Sequence, residues 1–517
     1  MNYGISQIKT NSTKMEKMKL KKLLKNIANC TTKGSLEIVI TGVSANSKTI
    51  SPGNLFIAKK GQTYDGTKYV SEAIERGCQV ILTDLYNPSL KHVTQILHPN
   101  PAEIEAYVAA EFYKNPSDEL LAVGITGTNG KTTTSLIIKY LLDNFYGLTG
   151  LIGSIEYHIG SQLLQATRTT PDVTTNQRLL REMLNHDCQA VVMEVTSHAL
   201  MQGRVDQIDY DVAVFTQLTA DHLDYHGTMQ AYCEAKNRLF LHLNNKKSKK
   251  ARAKWAVVNQ DCEWTPKILQ HCSAKVLTYG INNSADLKAT NIRLNDQETI
   301  ADFTYLQETV TCSWPLIGRF NIYNCLAAVG VLLTQGFSLQ DIAQKLSNLP
   351  STKGRLQQVD NALNLKIYVD FAHTEDALKN VLKTLTEVKK GKLITVFGCG
   401  GDRDKSKRPK MAKVCEEYSD YSIVTSDNPR SENPEIICRE MMDGFSNNNN
   451  FMIELDRYEA IRLAIQQASS NDLILIAGKG HETHQIFAHH TIEFDDCQVA
   501  TEICVEIAQA KGKLCGV

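Results

Sequence analysis

Apolar runs of four to eight residues alternate with amphipathic stretches along most of this chain. LEIVITGV, NLFIAKKG and CQVILTD read as strands around one helical segment, TKYVSEAIERG, which predicts a small α/β unit between about Leu36 and Asp84. HPNPAEIEAYVAAEFYKNPSDEL then supplies a Pro-rich linker and a helix. From Leu121 the alternation is regular: LAVGIT, QRLLREMLNHD, QAVVMEV, DVAVFTQL, MQAYCEAKNRLF. Short apolar strands separated by helices predict a parallel sheet covered on both faces. Between Lys275 and Trp314 the pattern changes to strands with polar turns, an antiparallel appendage, and GRFNIYNCLAAVGVLLTQG closes that region with a helix. A second alternating series starts near Gly354 with LKIYVDFAH, DALKNVLKTL, LITVFGCGGD, SIVTSDNP, YEAIRLAIQQA and DLILIAGKG.

These patterns predict an α/β protein of three domains: a small N-terminal one over residues 1–100, a central one over 101–351 with a parallel sheet, and a doubly wound one over 352–517, with hinges near Pro101 and Lys353. The lysine-rich start, residues 1–25, reads as a tail followed by one amphipathic helix, KLKKLLKNI. NNKKSKKARAK (Asn244 to Lys254) and Asn447 to Asn450 read as solvated loops. The 56 acidic and 56 basic residues cancel, so any anionic ligand is met by local charge and a nucleic-acid partner is not indicated. Fourteen scattered cysteines with no C-x-x-C pair predict reduced thiols in a cytosol. No run approaches the roughly 18 apolar residues of a membrane span, and the start carries no signal-peptide apolar region. A cytoplasmic monomer without membrane insertion is expected.

The stretch LAVGITGTNGKTTT, Leu121 to Thr134, reads as strand, glycine-rich turn and helix start. Gly127 and Gly130 allow a tight turn whose N–H groups, with the positive end of the next helix, converge on a polyphosphate. Lys131 then reaches the β/γ-phosphates and Thr132 can ligate Mg²⁺, although Ile125 stands where the strict P-loop pattern has its first glycine. In a parallel sheet, ligands meet the carboxyl ends of strands, which points to Glu194 and His198 after QAVVM and to Asp221, His222, Asp224 and His226 after DVAVFTQL. A carboxylate and an imidazole near the Thr132 hydroxyl can form a shell for Mg²⁺; singly, each also reads as a strand-end polar residue or a cap. Two other motifs fail: GCGGDR has Arg403 in place of the last glycine of a dinucleotide loop, and HETHQ has Gln485 where a zinc-protease motif needs histidine.

Together, GTNGKTT, GRFNIYN, TRTTPD, SDNPR and AGKGHE resemble the Mur ligases of peptidoglycan synthesis, from about Thr41 to Ala500. The resemblance implies ATP and Mg²⁺ as cofactors, with ATP held by Gly127, Thr128, Asn129, Gly130, Lys131, Thr132 and Thr133. It implies an active-site set of Lys131, Glu194, His222, Asn321, Asn324, Arg355, Asp370 and His373, and a metal set of Thr132, Glu194, His222 and Lys236. Lys236, by itself an ordinary helix lysine, is implied to be carbamylated. A UDP-MurNAc-dipeptide is implied to lie against Ala45 and Ser47 of VSANSK, Gln62, Thr63 and Tyr64, then Arg168, Thr169, Thr170, Thr196, Gln202 and Arg204. SDNPR resembles the motif of the branch that adds meso-diaminopimelate, implying Asp427, Asn428, Pro429 and Arg430, with Arg403, Gly478 and Glu482, as its pocket. The planar fork of Arg430 suits a carboxylate that a lysine substrate lacks at its side-chain end. The implied reaction is ATP-driven amide formation through an acyl phosphate. The alternatives are a lysine-adding member, the more distant folate polyglutamylating ligases and, from another class, a P-loop switch or motor ATPase, which has no need of SDNPR.

Overall fold

The computed structural model describes residues 16–61, 65–245, 252–295, 298–446 and 450–514. The expectations for Gln62, Thr63 and Tyr64, for most of the lysine-rich start, and for most of the two polar loops lie outside these residues. The chain forms two compact units that meet in sequence between Thr278 and Tyr279.

In the first unit, a five-stranded sheet has the spatial order Thr31–Lys33, Thr94–Leu97, Val80–Thr83, Leu55–Ile57, Val43–Ser44. All its pairings are parallel except that of Thr31–Lys33. KLKKLLKNI is not a full amphipathic helix: it gives one turn of α-helix, Leu20–Leu23, and a 3₁₀ turn, Leu24–Asn26. Nor is its start a tail, because Met18 and Lys19 pair with Ile40 and Val39, and Leu20 and Leu23 are fully buried. The apolar side chains, once paired off by a short strand, anchor the segment to the sheet. The helix Pro101–Phe112 packs Val108 and Phe112 into this same core, so the first sheet's core extends past residue 100.

The second sheet of this unit carries the phosphate cradle. Its central strand β1 (Leu121–Thr126) is buried along its whole length. Helix α1 (Lys131–Phe145) follows it, and β1 lies between parallel strands β2 (Ala190–Glu194) and β3 (Val212–Phe215). Glu194 pairs with Ile125 and Phe215 with Thr126, so all three strands end level. Helix α2 (Met229–His242) packs over this end of the sheet, where Leu239 and Tyr210 leave no room for a Cβ at Gly124. An antiparallel hairpin, Glu156–Ile159 with Gln162–Gln165, closes one edge.

In the second unit the expected appendage is a meander, Leu287–Leu294, Thr299–Tyr305 and Glu308–Trp314, antiparallel throughout. Tyr279 and Gly280 pair parallel with its first strand, which the alternation alone did not indicate. Helix α3 (Arg319–Thr334) follows. The second sheet of this unit has a parallel core of β4 (Lys366–Asp370), β5 (Leu393–Phe397), β6 (Tyr421–Val424), Phe451–Ile453 and β7 (Leu473–Ala477), with β7 between β4 and β5. Asp370 lies beside Ala477 and Phe397 beside Val424, so the loops after four strands emerge at one edge. Helices cover both faces of this sheet, over separate apolar cores. Among the described residues all cysteines are free, and no helix is long and apolar enough to cross a membrane.

Candidate active site

The turn between β1 and α1 is set by two glycines with positive φ, Gly127 at 153° and Gly130 at 87°. A Cβ on Gly127 would lie 1.8 Å from the Thr216 hydroxyl, which itself donates to the Asn129 carbonyl at 2.6 Å. The loop is therefore pressed onto the end of β3, immediately before the start of α1. Lys131 folds back to donate to the carbonyls of Gly127 and Thr128, both at 2.9 Å.

Glu194, at the end of β2, is buried and accepts from Thr132 Oγ1 at 3.0 Å. It also accepts from Ser154 N and Ser154 Oγ, each at 2.9 Å. Lys236, on α2, is buried, donates to the Gly127 carbonyl at 2.8 Å and stands 4.4 Å from the centre of the Tyr232 ring. Burial, and then the neighbouring Lys131 charge, push the Lys236 ammonium well below its ordinary pKa. His222 has a left-handed backbone (φ 54°), and its ring meets His198 edge-on at 4.9 Å. Partial burial holds its imidazole below the usual value against the pull of Asp221, with Lys131 and Lys236 adding to the depression. Thr132 and Glu194 are thus in contact, Lys236 holds the same loop through the Gly127 carbonyl, and His222 makes no hydrogen bond to Glu194 or to the Thr132 hydroxyl. Among the described residues no three His, Cys, Asp or Glu side chains group as a ready metal site.

Several residues expected at the dipeptide gather beside Glu194. Thr170 donates to the Glu194 carbonyl at 2.8 Å and accepts from Thr196 N at 3.1 Å. Arg204 donates to the Thr170 carbonyl at 3.0 Å and to Gln202 Oε1 through Nε and Nη2. Thr169 lies 3.1 Å from Ser154 Oγ. Arg168 is exposed, its backbone held at both ends by the Tyr157 hydroxyl. In the first sheet, Ser47 is buried and donates to Glu72 at 2.7 Å, while Ala45 packs against the core, so that loop offers its backbone rather than these side chains.

In the second unit Asn321 and Asn324 stand one turn apart on α3, joined by a 2.9 Å bond from Asn324 Nδ2 to Asn321 Oδ1. Asn321 also donates to the Ile317 carbonyl at 2.9 Å, which ties down the helix start. Asp370, at the end of β4, accepts from Leu356 N and Ala372 N at 2.7 and 2.8 Å. Burial raises its carboxyl above the ordinary value, and the Arg355 charge opposes that rise. The Arg355 guanidinium stands 5.1 Å from the centre of the Phe371 ring, and His373 Nδ1 lies 2.8 Å from the Phe371 carbonyl.

The loops after β6 and β7 meet directly. Asn428 donates to Glu482 Oε2 at 2.7 Å, and a Cβ on Gly478 would lie 2.7 Å from Asp427 Oδ2. Arg430, in the left-handed region at φ 52°, donates through Nη1 to the Gly401 carbonyl at 2.7 Å, joining the loop after β5. A Cβ on Gly401 would lie 1.9 Å from the Pro429 carbonyl. Arg403 is exposed on that same loop and makes no hydrogen bond to the cluster. Beneath the cluster, fully buried Arg457 grips Asp496 with two bonds, 2.8 and 2.7 Å, and donates to the carbonyls of Ser426 and Ala477, the residues just before Asp427 and Gly478. Arg408, also buried, holds Glu432 by two bonds.

Reading the residues in order did not single out Ser154, Thr216, Tyr232, Arg408, Arg457 or Lys479. Ser154 and Thr216 follow apolar strand runs, the signal that found Glu194, whereas the two arginines and Tyr232 sit inside helices whose periodicity gives no such mark.

Three family profiles match the chain: "Mur ligase family, catalytic domain" over residues 39–121, "Mur ligase middle domain" over 125–332 and "Mur ligase, glutamate ligase domain" over 354–480. The chain is similar to the UDP-N-acetylmuramoyl-L-alanyl-D-glutamate--2,6-diaminopimelate ligase of Chlamydia pneumoniae, 43% identical over 467 residues, 90% of this chain and 94% of the relative. Its counterpart of the same name in Bacillus cereus is 43% identical over 463 residues, again 90% and 94%. A solved structure of a ligase of that name superposes with a TM-score of 0.67 at 30% identity, covering 90% of this chain and 95% of the other. A MurF ligase from Thermotoga maritima, solved in complex with ADP, shares the fold with a TM-score of 0.61 at 19% identity, covering 91% and 98%.

Proposed function

Because this chain belongs to the Mur ligase family, we propose that it joins meso-diaminopimelate to the D-Glu γ-carboxylate of UDP-MurNAc-L-Ala-D-Glu at the expense of ATP. Its architecture is that of its relatives: a small N-terminal α/β domain, a central P-loop domain with a parallel sheet and a C-terminal Rossmann-like domain. The bounds 1–100, 101–351 and 352–517, a cytoplasmic location and a monomeric state are part of the proposal.

In this reading the γ-carboxylate attacks the ATP γ-phosphate to give an acyl phosphate and ADP, and the amine of diaminopimelate then displaces phosphate. Oxyanions crowd that centre, so positioning and charge carry the catalysis. The glycine turn and the N–H groups of α1 bind the polyphosphate, and Lys131 moves its ammonium from the loop carbonyls to the β/γ-phosphates. The Thr132–Glu194 contact is a hard oxygen pair that fits Mg²⁺. With His222 and a carbamate on Lys236, this pair would hold the ion, which supplies positive charge to the transferring phosphoryl group. Burial lowers the Lys236 ammonium well below its ordinary value, toward the free amine to which carbon dioxide adds. Asn321, Asn324, Arg355, Asp370 and His373 are assigned to the nucleotide as well. The UDP-MurNAc-dipeptide takes Ala45, Ser47, Gln62, Thr63 and Tyr64 at its nucleotide end, and Arg168, Thr169, Thr170, Thr196, Gln202 and Arg204 at its peptide.

The observation that carries the choice of amino acid is the meeting of SDNPR with AGKGHE: Asn428 bonded to Glu482, Asp427 under Gly478, and Arg430 fixed against Gly401. Carboxylate-binding and ammonium-binding groups side by side suit the amino-carboxylate end of diaminopimelate. Purified protein given ATP, the UDP-dipeptide and either diaminopimelate or lysine is expected to yield a UDP-tripeptide with the mass of the diaminopimelate product. Arg430→Ala is expected to raise KM for diaminopimelate about 100-fold or more; unchanged use of diaminopimelate by that variant rules out this assignment.

A further inference from the structure

One side chain in this pocket has no part in the scheme above. Lys479, between Gly478 and Gly480, is fully buried. Its Nζ donates to Asn428 Oδ1 at 3.2 Å and to the His484 carbonyl at 2.5 Å, and lies 3.4 Å from Glu482 Oε2. Ile486 N also donates to Asn428 Oδ1, at 3.0 Å. Two donors facing that oxygen fix which way round the amide lies, and its NH₂ group turns to Glu482. A buried ammonium is unfavourable unless paired and hydrogen-bonded. Lys479 is both, and two of its three partners are pocket side chains.

Asp427 and Glu482 bring two negative charges to the cluster, and Lys479 and Arg430 bring two positive ones. A balanced set suits a ligand end that is itself zwitterionic, whereas an excess of one negative charge favours a bare ammonium. We propose that Lys479 is a positioning and specificity-determining residue: it locks the Asn428 amide against Glu482 and balances the pocket, so that the amino-carboxylate end of diaminopimelate is preferred over the lone ammonium of lysine. This inference rests on the function proposed above.

The test compares wild type with Lys479→Met and with Lys479→Gln, which keeps a donor for Asn428 but removes the charge. For both amino acids kcat and KM are measured, with KM for ATP and for the UDP-dipeptide alongside. In both variants the diaminopimelate-to-lysine ratio of kcat/KM is expected to fall roughly tenfold or more, through KM, with the other two KM values unchanged. A ratio equal to that of wild type overturns the inference, because a general loosening of the fold lowers both amino acids alike. Failure of both variants to fold overturns it too, by assigning Lys479 to the scaffold. If wild type itself forms no diaminopimelate product, the proposed function fails, an outcome that is read without either variant.

Discussion

The cradle after β1 and the pocket after β6 and β7 both occupy the carboxyl ends of parallel strands, yet they are made differently. The cradle is shaped by backbone: two glycines of positive φ, a loop pressed onto Thr216, and the start of α1. The pocket is shaped by charged side chains that hold one another, Lys479 with Glu482, Arg408 with Glu432 and Arg457 with Asp496. A polyphosphate is the same in every reaction of this kind, so a rigid backbone serves it. The amino acid is what distinguishes one ligase from another, and side chains can change one at a time.

That contrast is sharpest at Lys131, one of the few charges the cradle uses. Lys131→Ala is expected to lower kcat by about 10²- to 10³-fold, read as ADP release in the presence of both substrates. Gly127→Ala is expected to do comparable damage for a steric reason, and a mild effect from it breaks the claim that backbone shape governs this end. Lys236→Ala is expected to lose roughly 10- to 100-fold, with partial recovery on adding small carboxylic acids that replace the carbamate. Absence of recovery removes the carbamate from the scheme.

The smallest effect separates the two regions by pH. Hydrogen bonds from Arg408 hold the Glu432 carboxyl down to about 2, below its ordinary range. A carboxyl depressed by folding adds stability that is complete above its unfolded pKa and is lost as pH falls through the folded value. The Tm of wild type is therefore expected to exceed that of Glu432→Gln by a few degrees at pH 7, with the gap closing between about pH 5 and pH 2. A gap that widens in acid contradicts the assigned ion pair.

Much of this was legible in the residues because local rules and the final fold agree. LAVGITGTNGKTTT becomes strand, turn and helix as its glycines and apolar period require, and Glu194 sits where strand-end reasoning places a polar group. What stayed hidden depends on partners distant in sequence. The apolar face of Pro101–Phe112 looks the same whichever sheet it covers, and only the fold assigns it to the first. KLKKLLKNI has helical spacing, but Met18 and Lys19 pair with Ile40 and Val39 and leave it one α-turn. Lys479 carries no mark of its own in the sequence, and Asn428, the side chain it bonds, lies fifty-one residues earlier in the chain.

Arg457 reaches the ends of β6 and β7 together, through the carbonyls of Ser426 and Ala477. The two recognition loops consequently share one foundation, which separates selectivity from architecture. Substitutions above that floor can retune which building block is accepted, while the floor itself is left untouched.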